Sequence, residues 1–240
     1  MIEIKDLTVR FGGVTPLDHM TIDFGDGTNG LIGPNGAGKT TFFNVLSGFV
    51  RPAEGSVTAF GEDLLTMAHF RRARWGVRRT FQTEQAIEEL SIYDNVAMVD
   101  EHSSRQRSSH RRDAVLSAIE FVGLKARPHT RVGGLGAGER RLVELARAVV
   151  GQPRVILLDE PAAGLPEEES VRTSRVIKKI PDELGALVIL VDHDMSLVSA
   201  CCSKTAVLDF GKLIASGDTA DVLRNDEVKK AYLGVEAVAV

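Results

Sequence analysis

The run of eight residues from Gly33 to Thr40 constrains the fold of this chain more than any other segment. Its sequence is Gly-Pro-Asn-Gly-Ala-Gly-Lys-Thr. The glycines allow the backbone to turn so that several N–H groups point at one anion. Lys39 adds a positive charge that can reach the outer phosphates of a nucleotide, and the hydroxyl of Thr40 is suited to ligate magnesium. We therefore expect a nucleoside triphosphate site here rather than a glycine-rich turn with a chance lysine.

The segments on either side of this run match a phosphate-binding loop. Residues 30–32 predict the end of a strand. Residues 41–46 predict the start of a helix, whose N-terminal dipole favours a bound phosphate. The predicted phosphate-binding residues are Asn35, Gly36, Ala37, Gly38, Lys39, Thr40 and Thr41.

Hydrophobic periodicity predicts that the chain has an α/β core. Continuous apolar strands at 155–158 and 186–191 alternate with predicted helices at 138–150 and 167–180. This alternation indicates a parallel sheet that is covered on both faces.

A helical segment interrupts this core. After about residue 87 the strand pattern gives way to helical periodicity at 94–99 and 113–122, with a polar linker at 102–109. We expect a single domain, in which residues 1–86 and 141–240 form the α/β core and about 87–140 form a helical subdomain.

Composition argues against several classes of protein. The 240 residues carry a net charge of −4 with both signs mixed along the chain, so nothing indicates a nucleic-acid partner. No stretch approaches about 18 consecutive apolar residues, and we expect any membrane role to come through a partner. Cys201 and Cys202 are adjacent, which suits burial in a reducing compartment better than a structural disulfide.

Two carboxylates follow the apolar strand at 155–158. We expect Asp159, at the strand's end, to hold magnesium through its water shell. Glu160 is placed to polarise a water for attack on the γ-phosphate. Acidic residues at a strand end also start turns, and Pro161 fits that alternative, but the phosphate-binding run upstream favours the catalytic interpretation.

Two further polar residues are candidates for the same chemistry. His193 follows the strand at 186–191, from where an imidazole can reach a γ-phosphate or an attacking water. Gln82 ends a short extended segment before the helical region. From the sequence alone, Gln82 is either an ordinary polar loop residue or a residue that orients water or magnesium.

In order and spacing, these residues resemble the ATP-binding subunits of ABC (ATP-binding cassette) transporters over nearly the whole chain. The resemblance implies a P-loop NTPase core with an N-terminal antiparallel β subdomain and an inserted α-helical subdomain. It assigns Gly33–Thr40 to the Walker A motif, Val155–Asp159 to Walker B, Phe11 to the adenine-stacking position, Gln82 to the Q-loop, residues 135–139 to the signature, Glu160 to the catalytic glutamate and His193 to the switch histidine.

The resemblance also implies an activity and partners. The expected reaction is hydrolysis of ATP with Mg²⁺, where Thr40, Gln82 and Asp159 serve the metal. Each ATP is expected to lie between two such subunits arranged head to tail. The other implied partners are integral-membrane permease subunits and, indirectly, a substrate-binding protein, which places the chain on the cytoplasmic face of the membrane.

Finer features are similar to the ATPases of branched-chain amino acid importers. They are the segments Phe42–Phe49, Arg79–Gln82, Asp159–Leu165 and Asp192–Met195. Urea or amide importers and lipopolysaccharide-export ATPases share much of this sequence. A soluble ABC ATPase of cofactor assembly and a module that holds ATP but barely cleaves it are the other open alternatives.

The signature position departs from the family pattern Leu-Ser-Gly-Gly-Gln. It holds Leu135, Gly136, Ala137, Gly138 and Glu139. In the family the serine contacts the γ-phosphate held by the opposite subunit, and loss of such a hydrogen bond costs about 1.5–3 kcal/mol. Pro166 also replaces the usual Asp or Asn after Leu165. We expect this signature to serve a weakened nucleotide site, while the Walker motifs of the same chain stay competent.

A basic run precedes Gln82 and consists of Arg71, Arg72, Arg74, Arg78 and Arg79. The sequence leaves two interpretations of it open. One is a solvated helix face, and the other is proximity to anionic lipid or a membrane partner.

Overall fold

The computed structural model describes residues 1–103 and 108–236, and this part of the chain alternates strands with helices. The strands are β1 (Ile2–Phe11), β2 (Val14–Phe24), β3 (Thr28–Ile32), β4 (Glu54–Ala59), β5 (Glu62–Asp63), β6 (Val77–Arg79), β7 (Val155–Asp159), β8 (Leu187–Val191), β9 (Lys204–Asp209) and β10 (Lys212–Asp218). The helices are α1 (Lys39–Ser47), α2 (His69–Trp75), α3 (Ile92–Ser103), α4 (Ser108–Phe121), α5 (Ala137–Val149), α6 (Glu167–Leu184), α7 (Met195–Cys201), α8 (Thr219–Val222) and α9 (Asp226–Glu236).

The chain divides into two compact units. Residues 1–72 and the residues from 189 onward form the first unit, and Ala73–Val188 form the second. No helix among the described residues is both long and apolar enough to cross a membrane.

The first unit contains an antiparallel sheet with the strand order β2-β1-β4-β5. It also contains β3, which pairs in parallel with β9, and β10, which pairs antiparallel with β9. Strand β3 is buried at all five of its residues, as a strand covered on both faces must be. Helix α1 packs through Phe42, whose ring centroid lies 5.7 Å from that of Phe24 on β2. This contact packs α1 against β2, and residues 33–38 connect the end of β3 to the start of α1.

The second unit combines the short parallel pair of β6 and β7 with helices α3 to α6. Strand β7 is fully buried, and α5 buries one face against α3, α4 and α6. Glu139 in the first turn of α5 and Arg147 in its last turn complement the helix dipole. The helix predicted at 94–99 lies within α3, and the helix predicted at 113–122 coincides with the second half of α4 but extends one residue beyond its end at Phe121. Of the predicted polar linker, residues 104–107 lie outside the described residues.

Candidate active site

The predicted phosphate-binding loop connects β3 to α1 in the first unit. Lys39 is the first residue of α1 and is buried. Its ammonium group donates hydrogen bonds to the carbonyl oxygens of Gly33, at 2.6 Å, and Pro34, at 2.9 Å. The side chain is thus folded back over the loop rather than extended into solvent. The first turn of α1 carries no acidic residue, so the positive end of its dipole is not neutralised by a carboxylate of its own.

Close packing around the loop requires glycine. A Cβ atom at Gly33 would lie 2.1 Å from the carbonyl oxygen of Leu208. Gly38 precedes α1 with a φ of 110°, and a Cβ atom there would lie 2.2 Å from the carbonyl oxygen of Pro16. Asn35, Gly36 and Thr40 are exposed, Thr41 is half-buried and Ala37 is buried. Asn35, Gly36 and Thr40 are therefore accessible to solvent, while Gly33 and Gly38 pack against neighbouring backbone.

Two more predicted residues of the first unit are exposed. Phe11 ends β1 and keeps 53% of its surface accessible, which leaves its ring available for stacking. His193 lies two residues beyond β8. Asp194 caps α7 by accepting hydrogen bonds from the N–H groups of Ser196, at 2.8 Å, and Leu197, at 3.3 Å. The cap fixes the backbone of the turn that carries His193.

In the second unit the two predicted acidic residues lie at the end of β7, where Asp159 is the last residue of the strand and Glu160 follows it. Asp159 is buried, and its Oδ2 accepts a hydrogen bond of 3.0 Å from Nη2 of Arg79. Glu160 is half-buried and has a φ of 48°, a left-handed conformation that costs a non-glycine residue about 1–2 kcal/mol. Its Oε2 accepts a hydrogen bond of 3.0 Å from Nε2 of Gln82. The structure thus brings Gln82 and Glu160 into contact, and the strained backbone of Glu160 directs the chain out of β7.

Arg79 and Thr80 also contribute to this site, although neither was predicted from the sequence to contact Asp159. The hydroxyl oxygen of Thr80 accepts a hydrogen bond of 3.1 Å from the N–H of Asp159. Burial lowers the pKa of Arg79, and the hydrogen bond to Asp159 opposes that effect. Arg79 stands opposite Leu157 in the pairing of β6 with β7. Its position three residues before Gln82 was the available signal, but the register of a three-residue strand is not visible in the sequence.

The segment that follows Gln82 is tied to helix α5. Nε of Arg140 lies 3.0 Å from Oε2 of Glu84. The backbone N–H of Gln85 donates a hydrogen bond of 2.9 Å to Oε1 of Glu144, which is buried. Residues 79–85 therefore contact both the carboxylates at the end of β7 and the helix that begins at the predicted signature.

The predicted signature residues surround the start of α5. Leu135 is buried, and Gly136 occupies the N-cap position in an extended conformation without a side-chain cap. Ala137 begins the helix, one residue before the predicted start, and is exposed. A Cβ atom at Gly138 would lie 2.3 Å from the carboxyl carbon of Glu169. Glu139 is half-buried.

Neither interpretation of the basic run describes all of it. Arg71 and Arg74 are exposed. Arg72 is buried and donates hydrogen bonds to the carbonyl oxygens of residues 45, 46 and 67. Arg78 is buried and donates to those of residues 73 and 77, and Arg79 binds Asp159. Three of the five arginines thus hold the structure of their own unit together.

A sequence model described as ABC transporter matches residues 17–163. The chain belongs to the ABC transporter family. A second model, described as branched-chain amino acid ATP-binding cassette transporter, matches residues 212–238 of this ABC ATPase. The predicted family, the α/β fold and the assignment as an ATP hydrolase are confirmed.

Curated relatives extend the similarity over nearly the whole ABC ATPase. It is 31% identical to the high-affinity branched-chain amino acid transport ATP-binding protein LivG of Escherichia coli (strain K12), over 98% of both chains. It is 34% identical to BraF of Pseudomonas aeruginosa, whose name describes the same role, again over 98% of both chains. The methionine import ATP-binding protein MetN 1 of Burkholderia orbicola is 32% identical over 98% of this chain and 70% of its own length.

Solved structures share the fold of this ABC ATPase. The ADP conformation of MJ1267, an ATP-binding cassette of an ABC transporter, superposes with a TM-score of 0.87. The two are 25% identical over 98% of both chains. A nucleotide-free ATP-binding cassette from an ABC transporter superposes with a TM-score of 0.86 at 24% identity, over 97% of this chain and 98% of that one.

The chemistry of the donors in this ABC ATPase fits magnesium. Thr40, Gln82 and Asp159 offer a hydroxyl, an amide and a carboxylate oxygen, the hard ligands that Mg²⁺ prefers. Among the described residues, no three His, Cys, Asp or Glu side chains cluster in a way that could hold a metal ion.

Proposed function

We propose that this ABC ATPase powers the import of branched-chain amino acids. The observation that carries the proposal is its likeness, over 98% of the chain, to two ATPases named for high-affinity branched-chain amino acid transport. The match of residues 212–238 to the branched-chain amino acid cassette model supports the same substrate class from a different segment.

The residues predicted from the sequence would divide the reaction among them. Phe11 stacks on adenine, and residues 35–41 bind the phosphates through backbone N–H groups, the Lys39 ammonium and the Thr40 hydroxyl. Thr40, Gln82 and Asp159 would hold Mg²⁺, which would neutralise charge on the nucleotide phosphates. The buried, folded-back Lys39 and the hydrogen-bonded Asp159 support these assignments, because both charged groups are already fixed in position.

Glu160 would act as the general base. Its carboxylate accepts a proton from the attacking water, and Gln82 orients that carboxylate through the 3.0 Å hydrogen bond. His193 would bind the γ-phosphate from the capped turn that follows β8. The exposure of His193 and Gln82 supports roles that require contact with a ligand or a partner.

The proposed assembly is a single ABC domain, with a helical subdomain at about 87–140, that pairs with a second ABC ATPase subunit. ATP would lie between the two subunits and hold them closed, and its hydrolysis would allow the pair to open. Permease subunits would hold the pair at the cytoplasmic face of the membrane, and a substrate-binding protein would deliver the amino acid to the permeases. A solved cassette of similar fold, MJ0796, forms a dimer in a post-hydrolysis state.

Hydrolysis is tested by replacing the proposed base. Glu160→Gln keeps the size of the side chain but removes the acceptor for a proton, so the ATPase rate should fall by about 100-fold or more while ATP binding persists. Glu168→Gln removes a carboxylate that is exposed in the first turn of α6 and serves as the matched control. Equal rates for wild type and Glu160→Gln would exclude Glu160 as the base.

The substrate is tested by transport. The ATPase is reconstituted in liposomes with permease subunits, a second ATPase and a binding protein of the same organism, and uptake of labelled leucine, isoleucine and valine is followed. Methionine is the informative competitor, because a methionine import ATPase is also 32% identical to this chain. Uptake of methionine without uptake of the branched-chain amino acids would refute the proposed substrate.

A further inference from the structure

Arg79 is a buried cation next to the carboxylate that the proposed function assigns to magnesium. Its side chain is 6% exposed and that of Asp159 is 10% exposed, and the two are joined at 3.0 Å. The guanidinium also lies over the ring of Phe81, 4.8 Å from its centroid. Contact with a carboxylate on one atom and an aromatic face on another holds this group in place.

The charge of Arg79 persists in this position. Burial lowers its pKa, but an arginine starts from so high a value that the guanidinium stays protonated at neutral pH. The pair therefore places a full positive charge beside an oxygen of Asp159. A divalent cation that approaches the same carboxylate meets repulsion from this charge, and burial weakens the screening by water.

We propose that Arg79 is a resident counter-cation of Asp159 that competes with Mg²⁺ and so sets how strongly magnesium strengthens nucleotide binding. The inference rests on the proposed role of Asp159. In the absence of metal, Arg79 neutralises a buried carboxylate that would otherwise be costly to ionise. With Mg²⁺ bound beside the nucleotide, Asp159 would interact with two cations, and repulsion from Arg79 would reduce the gain in nucleotide affinity that the metal provides.

The location of Arg79 connects this competition to the Gln82 segment. Phe81, on which the guanidinium rests, directly precedes Gln82, and Gln82 binds Glu160. A displacement of this segment would alter the contact of Arg79 with Phe81 and the hydrogen bond between Gln82 and Glu160 at the same time. Through Arg79 and Gln82, one short segment is therefore in contact with both carboxylates that end β7.

The competition is measured as a ratio of two affinities. The dissociation constant of a fluorescent ATP analogue is determined for the purified chain in EDTA and in excess Mg²⁺, and the first value is divided by the second. Arg79→Met removes the charge and keeps the length of the side chain. We expect its ratio to be about tenfold larger than that of wild type, because Mg²⁺ no longer approaches a fixed positive charge. Arg79→Lys keeps the charge and should change the ratio by less than about twofold.

Arg78→Met is the matched control. Arg78 is the neighbouring residue of β6 and is also buried, but it binds backbone carbonyls and lies on the opposite face of the strand. Its removal should destabilise the chain and leave the ratio unchanged. If Arg79→Met does not fold, Arg79→Gln takes its place in the test. Glutamine is neutral and retains a hydrogen-bond donor, and we expect the same increase in the ratio.

The outcomes separate this inference from the proposed function. A wild type that shows no strengthening of nucleotide binding by Mg²⁺ would refute the magnesium assignment on which the inference rests. A wild type that responds to Mg²⁺, with neutral Arg79 variants whose ratio is unchanged or smaller, would overturn the inference and leave the proposed function intact. A smaller ratio would also show that Arg79 positions Asp159 for the metal instead of competing with it.

Discussion

Gly36 and Gly38 lie two residues apart in the phosphate-binding loop, but a side chain would meet different surroundings at each. At Gly36 the φ is +83° and an added Cβ has no atom within 4 Å. At Gly38 the φ is +110°, and an added Cβ would meet the carbonyl oxygen of Pro16 at 2.2 Å and Cδ2 of Leu17 at 3.0 Å. The carbonyl oxygen of Pro16 belongs to the backbone and cannot rotate away as the end of a side chain can. Position 38 therefore requires glycine because of its positive φ and also because of this close contact.

We expect Gly38→Ala to lower the free energy of unfolding by more than about 3 kcal/mol, because backbone must shift around the new methyl group. Gly36→Ala should cost about 1 kcal/mol, which is the strain of a left-handed alanine alone. Urea unfolding of the two variants against wild type measures both values. Similar costs at the two positions would show that backbone strain, and not the contact with Pro16, determines the need for glycine.

At the scale of residues, the sequence predicts functional groups whose partners are local. The phosphate-binding loop is recognisable because its glycines, lysine and threonine act within one short segment. The hydrogen bond from Arg79 to Asp159 is not recognisable, because 80 positions separate the two residues. The close approach of Glu169 to Gly138 is not predictable from the sequence for the same reason, since the packing of two helices brings the residues together.

At the scale of elements, the C-terminal end of α1 is held by an arginine from the following helix. Nη1 of Arg72 donates hydrogen bonds to the carbonyl oxygens of Val45 and Leu46, the latter at 3.1 Å, and its Nε donates to that of Met67 at 2.9 Å. The last carbonyls of a helix lack partners within the helix. A cation at that end also complements the helix dipole.

We expect Arg72→Leu to destabilise the chain by about 3 kcal/mol, because it leaves buried carbonyl groups without these donors. Arg71→Leu is the control, since Arg71 is the preceding residue and is exposed, and its cost should stay within about 0.5 kcal/mol. Chemical denaturation of both variants gives the comparison. Equal effects would mean that Arg72 is better described as part of a solvated helix face, one of the two interpretations that the sequence left open.

The loop after Gln82 depends on one acceptor of α5. Glu144 is buried and receives the N–H of Gln85 at 2.9 Å and Nη1 of Arg147 at 3.2 Å. Glu144→Ala should accelerate hydrogen exchange at the Gln85 amide by about tenfold, which corresponds to the loss of about 1.4 kcal/mol. Glu144→Gln keeps an acceptor oxygen and should change exchange much less. Exchange that is the same in wild type and Glu144→Ala would show that the loop is held elsewhere.

The predictability of the elements follows from the strength of their periodicity. The buried strands predicted at 155–158 and 186–191 match β7 and β8 within a residue at each end, since continuous apolar runs between turn residues have few other solutions. The structure of the basic run, in contrast, could not be predicted from its sequence pattern. Its arginines extend across α2 and β6, and charge alone does not show that Arg72 and Arg78 bind backbone carbonyls inside the fold.

At the scale of the whole molecule, the proposed assembly makes this chain contribute half of each of two ATP sites. Its Walker motifs would act on its own nucleotide, and its altered signature would act on the nucleotide of the partner. Gly136 caps α5 without a side-chain hydrogen bond, and an added Cβ would have no atom within 4 Å. Its φ of −67° is accessible to every residue type. A serine therefore fits at this position without strain.

Gly136→Ser should restore a hydroxyl toward the γ-phosphate of the partner's ATP. If this chain pairs with a different subunit whose signature is intact, one site is already fully active, and the ATPase rate of the complex should rise by no more than about twofold. If the chain pairs with itself, both sites gain, and the rate should rise by about tenfold or more, which corresponds to the 1.5–3 kcal/mol of a hydrogen bond to a charged group. Gly136→Ala adds the Cβ without the hydroxyl and should leave the rate unchanged.

The serine also caps α5, which should stabilise the isolated chain by a few tenths of a kcal/mol, and unfolding experiments measure this separately from the rate. A complex that hydrolyses ATP no faster with serine than with alanine would contradict the weakened-signature hypothesis.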